Sequence, residues 1–98
     1  MTKTMTITVP EEVRNEVQRY DIERSSRRDI IAYILSGAVN VSEERFTQYQ
    51  KEYDDKFAAF EKAKKDIEIN YVMPATSGKA SNWSLDYSTC IVTITYEE

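Results

Sequence analysis

The chain has 98 residues, of which 31% are charged and 41% are hydrophobic, and its formal net charge is -4. This length allows one domain or two very small ones, and the balance of charged and apolar residues is that of a chain able to fold. The net negative charge argues against wholesale electrostatic coating of nucleic acid, although it leaves room for a local basic edge.

Few residues carry reactive chemistry. The chain has no histidine and a single cysteine, Cys90, so we expect no enzyme activity, no metal site, no cofactor and no intramolecular disulfide. The sequence shows neither a charged-then-apolar leader nor an apolar run of about 18 residues. We therefore expect a soluble, cytoplasmic protein with no membrane partner.

A short alternating segment opens the chain. From Thr4 to Val9, threonines alternate with Met5, Ile7 and Val9, and a period of two with β-branched residues predicts a strand. Pro10 ends this strand, because proline cannot donate a ladder hydrogen bond but is well suited to the start of a helix.

Two helices are predicted next. The first begins at Glu11, and its apolar residues recur at helical spacing. A polar turn follows at residues 21–26, where Ser26 is a suitable N-cap for the next helix. The second helix is predicted over residues 27–36, and Gly37 is placed for a left-handed C-cap.

The order of strand, Pro-Glu-Glu helix start, turn and helix in residues 4–37 resembles the ribbon-helix-helix family of dimeric DNA-binding proteins, the Arc and MetJ repressor type. The resemblance implies an α+β chain with a β-α-α dimer head, whose strand pairs with its symmetry mate. The sequence departs from the family pattern in lacking a glycine in the inter-helix turn. The implied dimer core consists of Met5, Ile7, Val9, Val13, Val17, Ile30, Ile34 and Leu35.

The same resemblance implies how double-stranded DNA would be bound. The paired strands would enter the major groove, and the start of the second helix would hold phosphates, since a helix N-terminus attracts anions. The base-facing residues would be Thr4, Thr6 and Thr8. The phosphate-facing residues would be Lys3, Ser25, Ser26, Arg27 and Arg28.

Residues 42–98 predict a long helix followed by a small antiparallel sheet. Ser42 is a suitable cap for a helix to about Asp66, which carries an aromatic stripe that we expect to pack against the segment that follows. From Ile67 to Met73 the apolar period is two, which predicts a strand ended by Pro74. The alternative is a helix that continues to about Val72. The aromatic stripe consists of Phe46, Tyr49, Tyr53, Phe57 and Phe60.

Two further strands complete a predicted three-stranded meander. A loop is predicted from Ala75 to Ser81. After it, apolar residues alternate in two runs separated by a turn near Ser88 and Thr89. The first run consists of Trp83, Leu85 and Tyr87, and the second of Val92, Ile94 and Tyr96.

The charge distribution supports two functions. Residues 1–37 carry six basic and six acidic residues, so the remainder carries all of the -4. The chain is predicted to be a homodimeric DNA-binding transcriptional regulator, with a head at 1–37 and an oligomerisation or partner-binding part at 42–98. The alternative is a protein-binding module, in which the acidic, aromatic C-terminal part binds another protein. Antitoxins of this family resemble that layout, as do small inhibitors encoded by phages or plasmids.

Overall fold

Residues 1–79 and 81–97 are described by a computed structural model, which shows a mixed α+β chain. Two long helices and a three-stranded antiparallel sheet account for most of these residues. In chain order the elements are β1 (Thr2–Thr8), α1 (Glu11–Leu35), α2 (Glu43–Ile67), a π-helical segment (Glu68–Val72), α3 (Met73–Thr76), β2 (Ser81–Asp86) and β3 (Ile91–Glu97).

The sheet has the order β1-β3-β2, so the central strand is the last in sequence. The register pairs Thr6 with Thr93 and Thr93 with Ser84. Alternation in the sequence directs most apolar residues of the three strands inward and most small polar residues outward, whereas Ile91 lies on the outer face. Consequently Val92 and Ile94 of the central strand are buried, while the threonines of β1 remain exposed.

The hairpin between β2 and β3 is closed by a four-residue turn, as the phase slip in the sequence predicted. Cys90 adopts a left-handed conformation with φ of 61°, and its N–H donates to Asp86 O at 2.9 Å. Arg14 of α1 holds this turn, because its Nη1 donates to Tyr87 O at 2.7 Å. A part-buried charged hydrogen bond of this kind ties the start of α1 to the hairpin.

The strand predicted between Ile67 and Met73 is wrong, because this segment is helical and the alternative of a continued helix describes it. Ile67 and Val72 are both buried, and the i→i+5 hydrogen bonding of a π-helix places residues five apart on one face. Pro74 lies in the first turn of α3, where its missing N–H is tolerated. The third strand of the sheet is therefore β1.

The connection from α3 to β2 coincides in part with the predicted loop. Ser77 and Gly78 both have positive φ, 56° and 79°, and the Gly78 N–H donates to Met73 O at 2.9 Å. This left-handed turn ends the helix. Ala80, also part of the predicted loop, lies outside the described residues.

The predicted turn at residues 21–26 is also wrong, since α1 is continuous from Glu11 to Leu35. The segment contains no glycine or proline that would end a helix. Arg24 Nη2 pairs with Asp21 Oδ1 at 2.7 Å across one helical turn, and the Arg24 guanidinium lies 4.3 Å from the centroid of the Phe60 ring. This contact, distant in sequence, favours a helix where the local pattern favoured a turn. The ribbon-helix-helix head is accordingly not confirmed.

Two of the predicted helix caps, Gly37 and Ser42, are confirmed. Gly37 has φ of 82° and donates its N–H to Ile34 O at 3.1 Å, as a left-handed C-cap does. Ser42 Oγ accepts the N–H of Arg45 at 3.2 Å and caps α2. The helix end predicted near Asp66 is wrong, because the helical backbone continues from α2 through the π-helical segment and α3 to Thr76.

The chain divides into two compact units. We call Met1–Gln18 with Ala63–Glu98 the sheet unit, and Arg19–Lys62 the helical unit. The division predicted from the sequence, 1–37 against 42–98, cuts across both. The buried apolar side chains of the sheet unit are Val9, Val17, Ala63, Ile67, Val72, Val92 and Ile94. In the helical unit, all of which is described, Phe60 is the one buried apolar side chain.

Candidate functional site

Strand β1 forms one edge of the described sheet. A single hydrogen bond shows which of its main-chain groups face β3 and which face the open edge. Val9 donates its N–H to Cys90 O at 2.9 Å, so these two residues form a hydrogen-bonded pair that continues the register. Bonded and non-bonded pairs alternate in an antiparallel ladder. The N–H and C=O groups of Thr4, Thr6 and Thr8 therefore point away from β3, towards the open edge.

The outer face of the sheet is rich in small polar side chains. The register sets Thr4 and Asn82 on either side of Thr95. Among the described residues of the three strands, the charged side chains on this face are the carboxylates of Asp86 and Glu97. The face therefore has hydrogen-bonding capacity on a neutral to acidic background.

The residues predicted to face DNA are divided between the two units. Thr4, Thr6 and Thr8 are exposed side by side on β1, as an edge role requires. Ser25 and Ser26 instead lie inside α1, where their N–H groups belong to the helical ladder and do not form an N-terminal anion site.

The cations predicted beside that anion site have acidic neighbours. Arg27 Nε lies 3.8 Å from Glu52 Oε2, and Arg28 Nε lies 3.8 Å from Asp29 Oδ1. Lys3 lies on β1, in register with Tyr96 of β3. The phosphate-binding geometry implied by the family resemblance is thus missing from α1.

The predicted dimer core divides between the two units. Val9 and Val17 are buried within a single chain, and Met5, Ile7 and Val13 are partly buried in the same sheet unit. In the helical unit, Ile30 and Leu35 are exposed and Ile34 is half-buried. The residues of the helical unit therefore offer more apolar surface to another molecule than those of the sheet unit.

In the helical unit, charged side chains connect α1 with α2. Lys56 Nζ lies 3.2 Å from Glu23 Oε2, and Arg27 pairs with Glu52. Each helix places its two partners four residues apart but in opposite order, so the helices are antiparallel here. One member of the aromatic stripe contributes to this interface, because the Phe60 ring packs under Arg24 of α1.

An open groove lies along the other side of the helical unit. Its volume is about 880 Å³, and the side chains at its apolar wall are unusually exposed. Ile22 is 62% exposed and Tyr33 60% exposed. The groove is lined by Asp21, Ile22, Ser25, Ser26, Asp29, Ile30, Tyr33, Ile34, Val39, Asn40, Val41, Arg45 and Tyr49.

The sequence analysis did not place Ile22, Tyr33, Val39 and Arg45 on a candidate surface. A signal for the first two was present, because Ile22, Ile30 and Tyr33 continue one helical face through the segment read as a turn. The signal was missed since a turn at 21–26 would have separated these residues. Val39 and Arg45 join them only through the fold.

Potential metal-ligating side chains are dispersed over residues 1–79 and 81–97. No group of three or more potential metal ligands occurs among these described residues. Hydrogen bonds from the Ser88 hydroxyl and N–H lower the pKa of the Asp86 carboxyl, although this group is on the surface of the hairpin turn. None of the described helices is both long and apolar enough to cross a membrane.

Compared with known proteins, the sequence matches no family model, no curated protein and no solved structure. The interpretation of its surfaces therefore depends on their own geometry and chemistry.

Proposed function

We propose that this chain is a non-catalytic protein-binding module, of the antitoxin or small-inhibitor kind, that binds an extended segment of a partner protein along β1. One observation carries the proposal: the outward main-chain groups of Thr4, Thr6 and Thr8 lie on an exposed edge. Such an edge is a template for an added strand, in which main-chain hydrogen bonds supply affinity.

The composition of β1 indicates what kind of segment it would accept. Most edge strands avoid pairing by carrying charges, prolines or bulges, whereas within Thr2–Thr8 the one charged residue is Lys3. Threonine lies on the outer face of β1, and Met5 and Ile7 lie on the inner face. A partner segment with alternating small polar and apolar residues would extend both faces.

A pair of substitutions at Thr6 tests this proposal. Thr6→Pro removes the outward N–H while leaving the bonds to β3, because proline is tolerated at the open side of an edge strand. Thr6→Val is the matched control, since it keeps the N–H and loses the hydroxyl. Random displayed peptides would be selected on the wild type, and the enriched peptides would then be measured against both variants.

We expect enrichment of extended, alternating peptides without proline. Their binding should weaken about tenfold or more on Thr6→Pro and little on Thr6→Val, given the usual value of one or two main-chain hydrogen bonds. Selection of no such peptides, or equal binding to both variants, would overturn the proposal. A wild-type dimer that Thr6→Pro alone dissociates would also overturn it, because β1 would then pair with a second copy.

DNA binding is the second candidate, and the exposed row of Thr4, Thr6 and Thr8 is what favours it. Threonine can hydrogen-bond to base edges and contact a thymine methyl group. The neutral to acidic outer face and the absence of an anion site at Ser25 and Ser26 weigh against it. Random duplex DNA at low and moderate salt is the test: salt-sensitive binding that is lost on Arg27→Ala with Arg28→Ala would favour this function.

A further inference from the structure

The groove of the helical unit exposes more apolar surface than its own two helices can cover. Besides Ile22 and Tyr33, two further lining residues are exposed, Val39 to 40% and Ile30 to 37%. Together these four side chains form an apolar patch along the groove, and an exposed apolar patch often marks an interaction site. A surface of this kind indicates that another molecule binds there.

The interior of the helical unit favours a permanent occupant of the groove over a transient one. Phe60 is the one buried apolar side chain among its residues 19–62, and the helices are joined there by ion pairs that are partly exposed. Exposed ion pairs contribute little to stability. Helical segments gain most of their stability from packing an apolar face, so this face needs a cover that is always available.

We propose that the occupant is a second copy of this chain, with the α1 helix of each copy lying in the groove of the other. A second copy is present at equal concentration whenever the chain is present. The α1 helix also has the shape required: Ile22, Ile30 and Tyr33 lie on one exposed face, as the anchors of a helix-in-groove contact do. Two helices from each copy then form a four-helix arrangement.

The charged residues at the rim of the groove are complementary between two copies of the chain. Asp29 and Arg45 both line it, and Arg45 has no ion-pair partner among the described residues. In a two-fold interface, residue i contacts residue j and j contacts i. Asp29 of each copy can therefore pair with Arg45 of the other, which gives two ion pairs per dimer.

The composition of the groove suits the interface of such a dimer. An interface of ordinary size removes about 800 Å² from each partner, part of it a polar rim. The apolar patch supplies the centre, and Ser26, Asp29, Asn40 and Arg45 supply polar rim residues. This surface differs from the edge of β1, so the present proposal does not depend on the function proposed above.

The first experiment measures mass in solution against concentration for a matched pair of variants. Ile22→Glu places a charge in the groove, and Ile69→Glu places the same charge on an exposed isoleucine of the sheet unit, where the side chain is 50% exposed. Circular dichroism would check that both remain helical. We expect the wild type and the Ile69→Glu variant to be dimeric. For Ile22→Glu, we expect the dissociation constant of the dimer to rise about tenfold or more.

A charge swap tests the orientation of the two copies. Asp29→Lys and Arg45→Glu alone should each weaken the dimer, because like charges would then meet across the interface. The double variant should restore wild-type association, since both pairs are reversed. A double variant as weak as the single ones would overturn the pairing of Asp29 with Arg45.

Two results would overturn the assignment to a second copy. One is a wild type that stays monomeric at the highest concentration measured, which would leave the groove to a different protein. The other is a dimer that Ile22→Glu does not weaken, which would place the interface on another face such as the edge of β1.

Discussion

The two units of this chain are built on different physical principles. The sheet unit buries Val92, Ile94 and Ile67 almost completely, and its strands are joined by continuous antiparallel ladders. The helical unit joins its helices through charged side chains and buries Phe60 alone among residues 19–62. One unit has a core of its own, whereas the other exposes its apolar residues.

This difference teaches where stability and association reside. Burial of apolar area is the dominant favourable contribution to folding, so the sheet unit should determine the free energy of unfolding of a single chain. In the helical unit the apolar residues are placed at the surface, so their contribution should depend on what covers them. Substitutions in the two units should therefore have different effects on stability and on association.

The largest effect is expected for Ile94→Ala in the central strand. The side chain is 0% exposed, and truncation of a buried isoleucine costs about 2–5 kcal/mol through lost burial and the cavity left behind. The matched control is Ile91→Ala on the same strand, where the side chain is 37% exposed and the cost should stay below about 1 kcal/mol. Urea denaturation followed by circular dichroism measures both, and equal losses would contradict the core assigned to the sheet unit.

A smaller and local effect is expected for Arg24→Ala in the helical unit. The guanidinium lies over Phe60 and pairs with Asp21, and together these contacts are worth about 1–2 kcal/mol for a largely buried side chain. Amide hydrogen exchange should show the loss of protection in residues 19–62 before the sheet unit.

Arg24→Lys is the control for charge alone. It keeps the cation but loses the planar stacking on the ring, so we expect a partial loss of protection. A uniform loss across both units would show that the helical unit does not open separately.

The smallest effect is expected at Asp86 in the hairpin turn of the sheet unit. Donation by the Ser88 hydroxyl, followed by its N–H, lowers the pKa of this carboxyl from its ordinary 3.8. Because the pKa is lower in the folded state, the ionised carboxyl stabilises the hairpin at pH values above the unfolded pKa. This stabilisation is lost as the pH falls through the folded pKa. A carbon NMR titration should place the midpoint below 3.8, and Ser88→Ala should raise it. A midpoint unchanged by Ser88→Ala would exclude that hydroxyl as the cause.

The elements with strong local signals were predicted correctly. Strict alternation identified β1 and β3, Gly37 and Ser42 marked the ends of the two long helices, and the phase slip located the hairpin turn. In each case a single residue or a period carries the structural preference, as capping and alternation do.

The errors occurred where a contact distant in sequence determined the structure. Residues 21–26 contain two serines and three charged side chains suited to a turn, but Arg24 packs on Phe60 and the segment is helical. The segment from Ile67 alternates as a strand would, yet the π-helical turn buries Ile67 together with Val72. Periodicity over so few residues does not distinguish these outcomes.

The candidate surfaces were predictable to different degrees. The exposure of Thr4, Thr6 and Thr8 was predicted from alternation. The openness of their edge was not, because it depends on β1 pairing with β3 on one side only. The groove was missed as a whole, since its lining joins α1 with residues 39–49 through the fold.

By itself, the sequence determined the faces of the strands, the ends of the long helices and the acidic character of the C-terminal part. These properties depend on neighbouring residues and on composition, which any conformation of the chain retains. The tertiary structure decided which strands pair, that α1 continues through residues 21–26 and which apolar residues stay exposed. Those outcomes depend on contacts such as Arg24 with Phe60 and Ile7 with Val92, whose partners are far apart in the chain and meet only when it folds.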